Sequence, residues 1–340
     1  MPADFAPGGR LPPLTDRAGR QYRYLRLSVT DRCNMACVYC MPPEGEAEHA
    51  LRRDVLSFEQ IARLTGVFSQ MGIRRVRFTG GEPLIRKHVV DLLAQVHAQS
   101  TLDALWLTTN GVRLANLAEP LKAAGLTGVN VSIDSLDPDR FRRLTRGAEL
   151  APVLAGINAA SAAGLQVKLN TVALRGENED ELGALVDFAW EIGAIPRFIE
   201  LMPLGEGAAL LASHHLPTSA VLARIGARVL PEAGTRDPAA GPAHYYMAAD
   251  GSGNKVGIIG AISDKFCENC NRIRLTSRGE ILACIASRSA MPLKDLMERG
   301  QSDAELAWAV HVALQSKRAG HEFELSSGQQ HGRGMSLVGG

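Results

Sequence analysis

Six cysteines fall into two groups of three: Cys33, Cys37 and Cys40 near the start, and Cys267, Cys270 and Cys284 in the last quarter of the chain. Disulfide frameworks use even sets spread through small secreted chains, and two odd sets in 340 residues fit that badly. Thiolates bunched three and four residues apart repel unless a cation holds them, so metal binding is the leading reading for each group. Structural zinc wants four closed ligands, which here would require a histidine such as His49 or His244. The pattern Cys-x3-Cys-x2-Cys suits three corners of a cubane iron–sulfur cluster, with one iron left for a non-protein ligand. For Cys-x2-Cys-x13-Cys the spacing alone leaves zinc open.

Lys+Arg number 37 against 36 Asp+Glu, a net charge of +1, which excludes the general basic field of a nonspecific nucleic-acid binder but permits a local anion site. With 46% hydrophobic and 21% charged residues the chain can bury a sizeable core. No apolar run approaches the roughly 18 residues of a membrane span. Residues 1–21 carry Pro2, Pro7, Pro12 and Pro13 and no apolar signal core. They read as a flexible leader on a soluble, cytoplasmic protein.

The elements that would carry these cysteines alternate in type. Strand-like runs cover Tyr24–Thr30, Arg75–Thr79, Leu105–Thr109, Val129–Asp134, Val167–Val172 and Arg197–Met202. Helical periodicity marks Phe58–Met71, Val89–Ala98, Pro152–Ala163 and Leu182–Ile192 between them. Alternation at this spacing means parallel βαβ units. Within strands, Arg26, Arg77, Asn130, Ser132, Lys168 and Asn170 take one parity while Leu25, Leu27, Val76, Phe78, Val131 and Leu169 take the other. A parallel sheet covered on both sides is apolar on both faces, so polar residues on one parity imply a sheet curled around a wet interior. Six units predict an incomplete (βα)6 TIM-like barrel, α/β in class, with the first triad at the C-terminal mouth where barrel enzymes place their chemistry.

After Met202 a loop-rich stretch follows, in which His214–His215 reads as polar loop and a short helix lies near Ser219–Ile225. A smaller C-terminal module then carries the second triad on segments Lys255–Ala261, Arg272–Thr276 and Glu280–Ala283, with a helix over Ala304–Lys317. The division is therefore a leader over 1–21, a barrel over 22–230 and the module over 231–340. On the strand Arg272–Thr276, Arg272 and Arg274 leave one face together, a poor structural choice beside a thiol set and a good cradle for an anion. Arg26, Arg77 and Lys168 would project into the lumen, where Glu82, Asp134 or Glu200 could alternatively pair with them.

Cys33-x3-Cys37-x-Tyr39-Cys40 followed by Gly80-Gly81-Glu82-Pro83 resembles the radical S-adenosylmethionine (SAM) superfamily. The resemblance implies a [4Fe–4S] cluster whose free iron chelates SAM, and SAM contacts at Tyr39, Gly81, Ser132 and Met202. A finer resemblance, to the GTP 3′,8-cyclase family of molybdenum-cofactor biosynthesis, rests on Phe266-Cys267-Glu-Asn-Cys270-Asn271-Arg272-Ile-Arg274, on Cys284 and on the terminal Gly339-Gly340. Leu144-Thr-Arg-Gly147 and Phe198-Ile-Glu-Leu-Met202-Pro-Leu-Gly-Glu206 support it. It implies a second [4Fe–4S] cluster at the second triad, an insertion of the terminal glycines near the reaction site, and GTP contacts at Arg26, Arg77, Thr108, Lys168, Arg272 and Arg274. The implied partners are the substrate GTP, an electron donor of flavodoxin or ferredoxin type, cyclic pyranopterin monophosphate synthase as acceptor of the product, and a second copy in a homodimer, with no nucleic acid and no membrane. Two rivals stay open from sequence: a radical SAM enzyme acting on a peptide or modified nucleotide, and a non-catalytic zinc protein.

Overall fold

The structure is a computed structural model that describes residues 11–45, 49–232, 241–287, 289–323 and 334–339. Alternation gives the first strand directly: Leu25 and Leu27 are fully buried on one face while Arg26 turns to the other. Six parallel strands follow in sequence order, β1 (Tyr24–Ser28), β2 (Arg75–Thr79), β3 (Ala104–Thr109), β4 (Gly128–Ser132), β5 (Gln166–Ala173) and β6 (Ile195–Glu200). The connecting helices, among them Phe58–Gln70, Val89–Gln99, Leu150–Ala162 and Leu182–Glu191, pack on the apolar face. There Val76, Phe78, Leu107, Val131 and Leu169 join one continuous core. Emptying one such position, as in Phe78→Ala, costs about 3–5 kcal/mol. Local chemistry fixes helix starts: Ser57 and Gln60 close a capping box before Phe58, and Asp137 caps Pro138–Leu144 with proline in the first turn.

The remaining strands are β7 (Val229–Pro231), β8 (His244–Ala248), β9 (Lys255–Ile259), β10 (Arg272–Leu275), β11 (Glu280–Leu282) and β12 (Met291–Pro292). The single sheet runs β12-β11-β10-β1-β2-β3-β4-β5-β6-β9-β8-β7. β10 lies parallel to β1, with Tyr24 opposite Arg272 and Arg26 opposite Arg274, and β9 lies parallel to β6. The segment after residue 231 thus extends both edges of the six-stranded sheet, so eight strands run parallel and the antiparallel hairpins sit outside them. Residues from β10, β6 and β9 line one chamber, which requires the open sheet to curl around it.

Two local expectations are corrected. The stretch 207–214 is a helix, Gly207–His214, where the sequence suggests loop; its buried Ala208 and Leu211 outweigh the flanking glycines and histidines. His215 leaves that helix and places Nε2 2.6 Å from Glu200 Oε1. Of the expected flexible leader, residues 1–10 lie outside the described residues, but Leu14 and Asp16 are buried and Thr15 bridges Gln21. Among the described residues no helix is long and apolar enough to cross a membrane.

Candidate active site

The loop carrying the first triad leaves the top of β1 and is tied on three sides. Gly81 and Glu82 donate backbone N–H groups to Thr30 and Arg32 carbonyls at 2.8 and 2.7 Å. A Cβ at Gly81 would run into the Arg32 carbonyl, so glycine there serves the close approach of two protein backbones as well as lining the chamber. Tyr39 Oη donates to Asp134 Oδ2 at 2.6 Å, anchoring the loop to the end of β4. Arg146, in the Leu-Thr-Arg-Gly stretch, donates to the carbonyls of Met41 and Ala36 at 2.5 and 3.2 Å. Burial pushes the Cys37 thiol well up, and the Asp134 carboxylate adds to this.

The second triad is built differently. Cys270 N–H donates to the Cys267 carbonyl, and β10 begins two residues later. Lys317 Nζ stands 3.3 Å from Cys270 Sγ, and the Arg272 guanidinium packs 4.5 Å over the Phe266 ring. Burial opposes ionisation of Cys270, but Arg272 and Lys317 outweigh it and bring the thiol down to about 6.

Both triads face one chamber of about 250 Å³. Tyr39, Gly81, Ser132, Met202, Arg26, Arg77, Thr108, Arg272 and Arg274 line it too. Lys168 does not: it borders a second cavity of about 300 Å³ with Arg75 and Trp106, its ammonium 4.2 Å from the Trp106 ring centre. Tyr24, Arg77 and Arg197 line both spaces. Parity put Lys168 on the correct face, but its position along the strand puts it beyond the main chamber.

Charge in the lumen is segregated. Each carboxylate that could have paired with the cations is already engaged. Glu82 accepts from Leu84 N, Asn110 N and Thr109 Oγ1; Asp134 accepts from Tyr39 and from Val172 N; Glu200 accepts from His215, Ile262 N and Ser263 N. Burial raises Glu82 to about 7 and Asp134 to about 6. The cations pay for crowding in the opposite sense: burial lowers Arg77 and Arg274 to about 10, and burial with Arg197, Arg77 and Arg75 lowers Lys168 to about 7.

Residues 27–189 match the Radical SAM superfamily, and residues 195–323 match Molybdenum Cofactor Synthesis C. The GTP 3′,8-cyclase of Rhodopseudomonas palustris (strain TIE-1) is 41% identical over 338 residues, 96% of each chain. That of Paracoccus denitrificans (strain Pd 1222) is 42% identical over 341 residues, again 96% of each. The chain belongs to the GTP 3′,8-cyclase family. It is a radical SAM enzyme, and an iron–sulfur cluster and SAM come with that class. Streptococcus suis SuiB, in a structure bound to S-adenosylmethionine, shares the fold with a TM-score of 0.59 at 14% identity, covering 87% of this chain and 68% of that one.

The donor set suits such clusters. None of the six cysteines is in a disulfide, and among the described residues no three His, Cys, Asp or Glu side chains converge on a position for a single ion. His49 is exposed and His244 faces Asp264 at 3.5 Å, so neither completes a zinc set. Thiols in threes around a common chamber leave one corner of a cubane for a small molecule.

Sequence reading missed four residues that shape this site. Arg197, buried across the lumen, donates to Asn170 Oδ1 at 2.6 Å and to Asn130 Oδ1. Arg20 and Lys317 flank the second triad, and Arg146 holds the first. For Arg197 the signal was available, because it shares the polar parity of β6 that faces Asn170.

Proposed function

We propose that this chain converts GTP to (8S)-3′,8-cyclo-7,8-dihydroguanosine 5′-triphosphate, the first step of molybdenum-cofactor biosynthesis. The observation that carries the reading is the shared chamber: two three-cysteine sets and Arg26, Arg77, Arg197, Arg272 and Arg274 open onto one space. When bound, the cluster and SAM would supply a 5′-deoxyadenosyl radical able to abstract the ribose 3′ hydrogen, the chemistry that joining C3′ to C8 needs together with one further electron and proton.

The chain's own residues do the orienting. Cys33, Cys37 and Cys40 would hold the cluster that meets SAM, with Tyr39, Gly81, Ser132 and Met202 around the cofactor. Cys267, Cys270 and Cys284 would hold a second [4Fe–4S] cluster at the base of GTP. Arg26, Arg77, Arg272 and Arg274 present fixed positive charge to the triphosphate, with Thr108 beside them. The two cavities meet at Arg77 and Arg197, which gives a phosphate tail a cationic path toward Lys168. Pinning base, sugar and phosphates at separate points brings the reacting hydrogen to the radical, and enclosure keeps water and small reductants away.

The flavodoxin- or ferredoxin-type donor, transfer of product to cyclic pyranopterin monophosphate synthase, a homodimeric state, a cytoplasmic location and the division at residue 231 belong to the same proposal. The test is anaerobic reconstitution with SAM, a reductant and GTP. The reading requires 5′-deoxyadenosine to form in step with GTP consumption. Deoxyadenosine formed while GTP stays intact would assign the chain to another substrate, such as a peptide.

A further inference from the structure

Cys270 is set apart by the cations around it. Lys317 Nζ lies 3.3 Å from its sulfur, 3.2 Å from the Arg272 carbonyl and 4.5 Å from the Tyr22 ring centre. Arg272 Nη2 approaches the same sulfur at 3.9 Å. The ammonium is thus fixed among a sulfur, a carbonyl and an aromatic face, instead of sampling solvent on a flexible stem.

The amino-terminal segment braces this arrangement. Tyr22 Oη donates to Asp16 Oδ2 at 2.6 Å, and Arg20 Nε donates to the same oxygen at 2.6 Å. Arg20 also donates to the carbonyls of Cys267 at 2.8 Å and of Ala319 and Arg318 at 2.7 Å. One guanidinium therefore joins the loop bearing Cys267 to the segment bearing Lys317. The loop of the first triad is tied differently, with Tyr39 Oη donating to the Asp134 carboxylate at 2.6 Å.

Reduction adds negative charge to an iron–sulfur centre, and hydrogen bonds or cations at its sulfurs favour the reduced state. We propose that Lys317 is a positioning residue for the second centre: it donates to the Cys270 sulfur and raises the reduction potential of the cluster held there. This rests on the reading of the second triad as a [4Fe–4S] site.

The test uses the full chain carrying Cys33→Ala, Cys37→Ala and Cys40→Ala, so that only the second centre is loaded. Iron is counted and the midpoint is measured by a redox titration followed by electron paramagnetic resonance. Adding Lys317→Met should make the reduced state about tenfold less favoured, a shift of about 59 mV to more negative potential for a one-electron couple. Lys317→Arg, which keeps the charge, should stay near the parent. An unshifted midpoint in a fully loaded Lys317→Met variant, or an equal shift in Lys317→Arg, would overturn the proposal. If the methionine variant loads no iron, Lys317→Gln is titrated in its place, and an unshifted midpoint there overturns it equally. A parent that holds no iron would overturn the two-cluster reading itself, and the proposal with it.

Discussion

Arg274 Nη1 lies 2.7 Å from the carbonyl oxygen of Gly339, 65 residues further along the chain, and 3.3 Å from that of Val338. The guanidinium is buried next to Arg272 and Arg77, yet it spends these bonds on neutral carbonyls of the chain's own tail. A residue expected to cradle phosphate is thereby also the seat of the carboxy-terminal segment. Arg274→Ala should release residues 335–339. Hydrogen bonds to a charged donor contribute about 1.5–3 kcal/mol, so amide exchange in that segment should quicken at least about tenfold. Exchange as slow as in the parent would show that the tail is held elsewhere.

Gly339 has φ +73°, and a Cβ there would run into the Thr79 side-chain methyl. Gly339→Ala should therefore unseat the tail and cut cyclisation at least about tenfold while SAM cleavage persists. Adding Thr79→Ser removes the clashing methyl but leaves the backbone strain, and should restore part of the loss. Measured GTP turnover in the single and double variants checks both points; full activity in Gly339→Ala would contradict the assignment.

The two triads should fail differently. Cys33→Ala is expected to abolish SAM cleavage, whereas Cys284→Ala should damage cyclisation and leave some uncoupled cleavage. Quantifying 5′-deoxyadenosine with and without GTP distinguishes them. Equal loss of cleavage in both variants would argue against separate roles.

Lys168 supplies a pH signature. Burial and neighbouring arginines hold it at about 7, below the ordinary lysine value, so above pH 7 the free protein carries it neutral. A bound polyphosphate would raise that pKa, and binding would take up a proton. GTP affinity should therefore fall as pH rises above 7, by up to about tenfold per unit, until the bound-state pKa is passed. Lys168→Met should flatten this dependence in a calorimetric titration. The same slope in both proteins would place the proton elsewhere.

The lumen was legible because alternation is local: Arg26 and Leu27 point oppositely whatever the rest of the chain does. Both cysteine sets were legible by spacing, and their motifs survive in isolation. Depth was not. Lys168 and Asn170 have the same parity, but only strand stagger decides that Asn170 lines the main chamber while Lys168 borders the second cavity. Contacts between distant segments were hidden for the same reason. Nothing near Arg20 announces that its partners are Cys267 and Ala319, and nothing in Lys255–Ile259 or Arg272–Leu275 tells which sheet edge each will join. The helix Gly207–His214 was obscured because Pro203, Gly205 and Gly207 are stronger loop signals than a few alanines and leucines are helix signals.

Pairing of β1 with β10 has a consequence for biosynthesis. The partner of the first strand is made almost last; Arg20 and the Cys267 carbonyl it bonds are 247 residues apart. At the usual rate of translation that separation is on the order of ten seconds or more. Throughout that interval the nascent β1 has one uncovered row of backbone donors and acceptors, the kind of edge that recruits other chains. That edge most needs cover in the interval before β10 emerges.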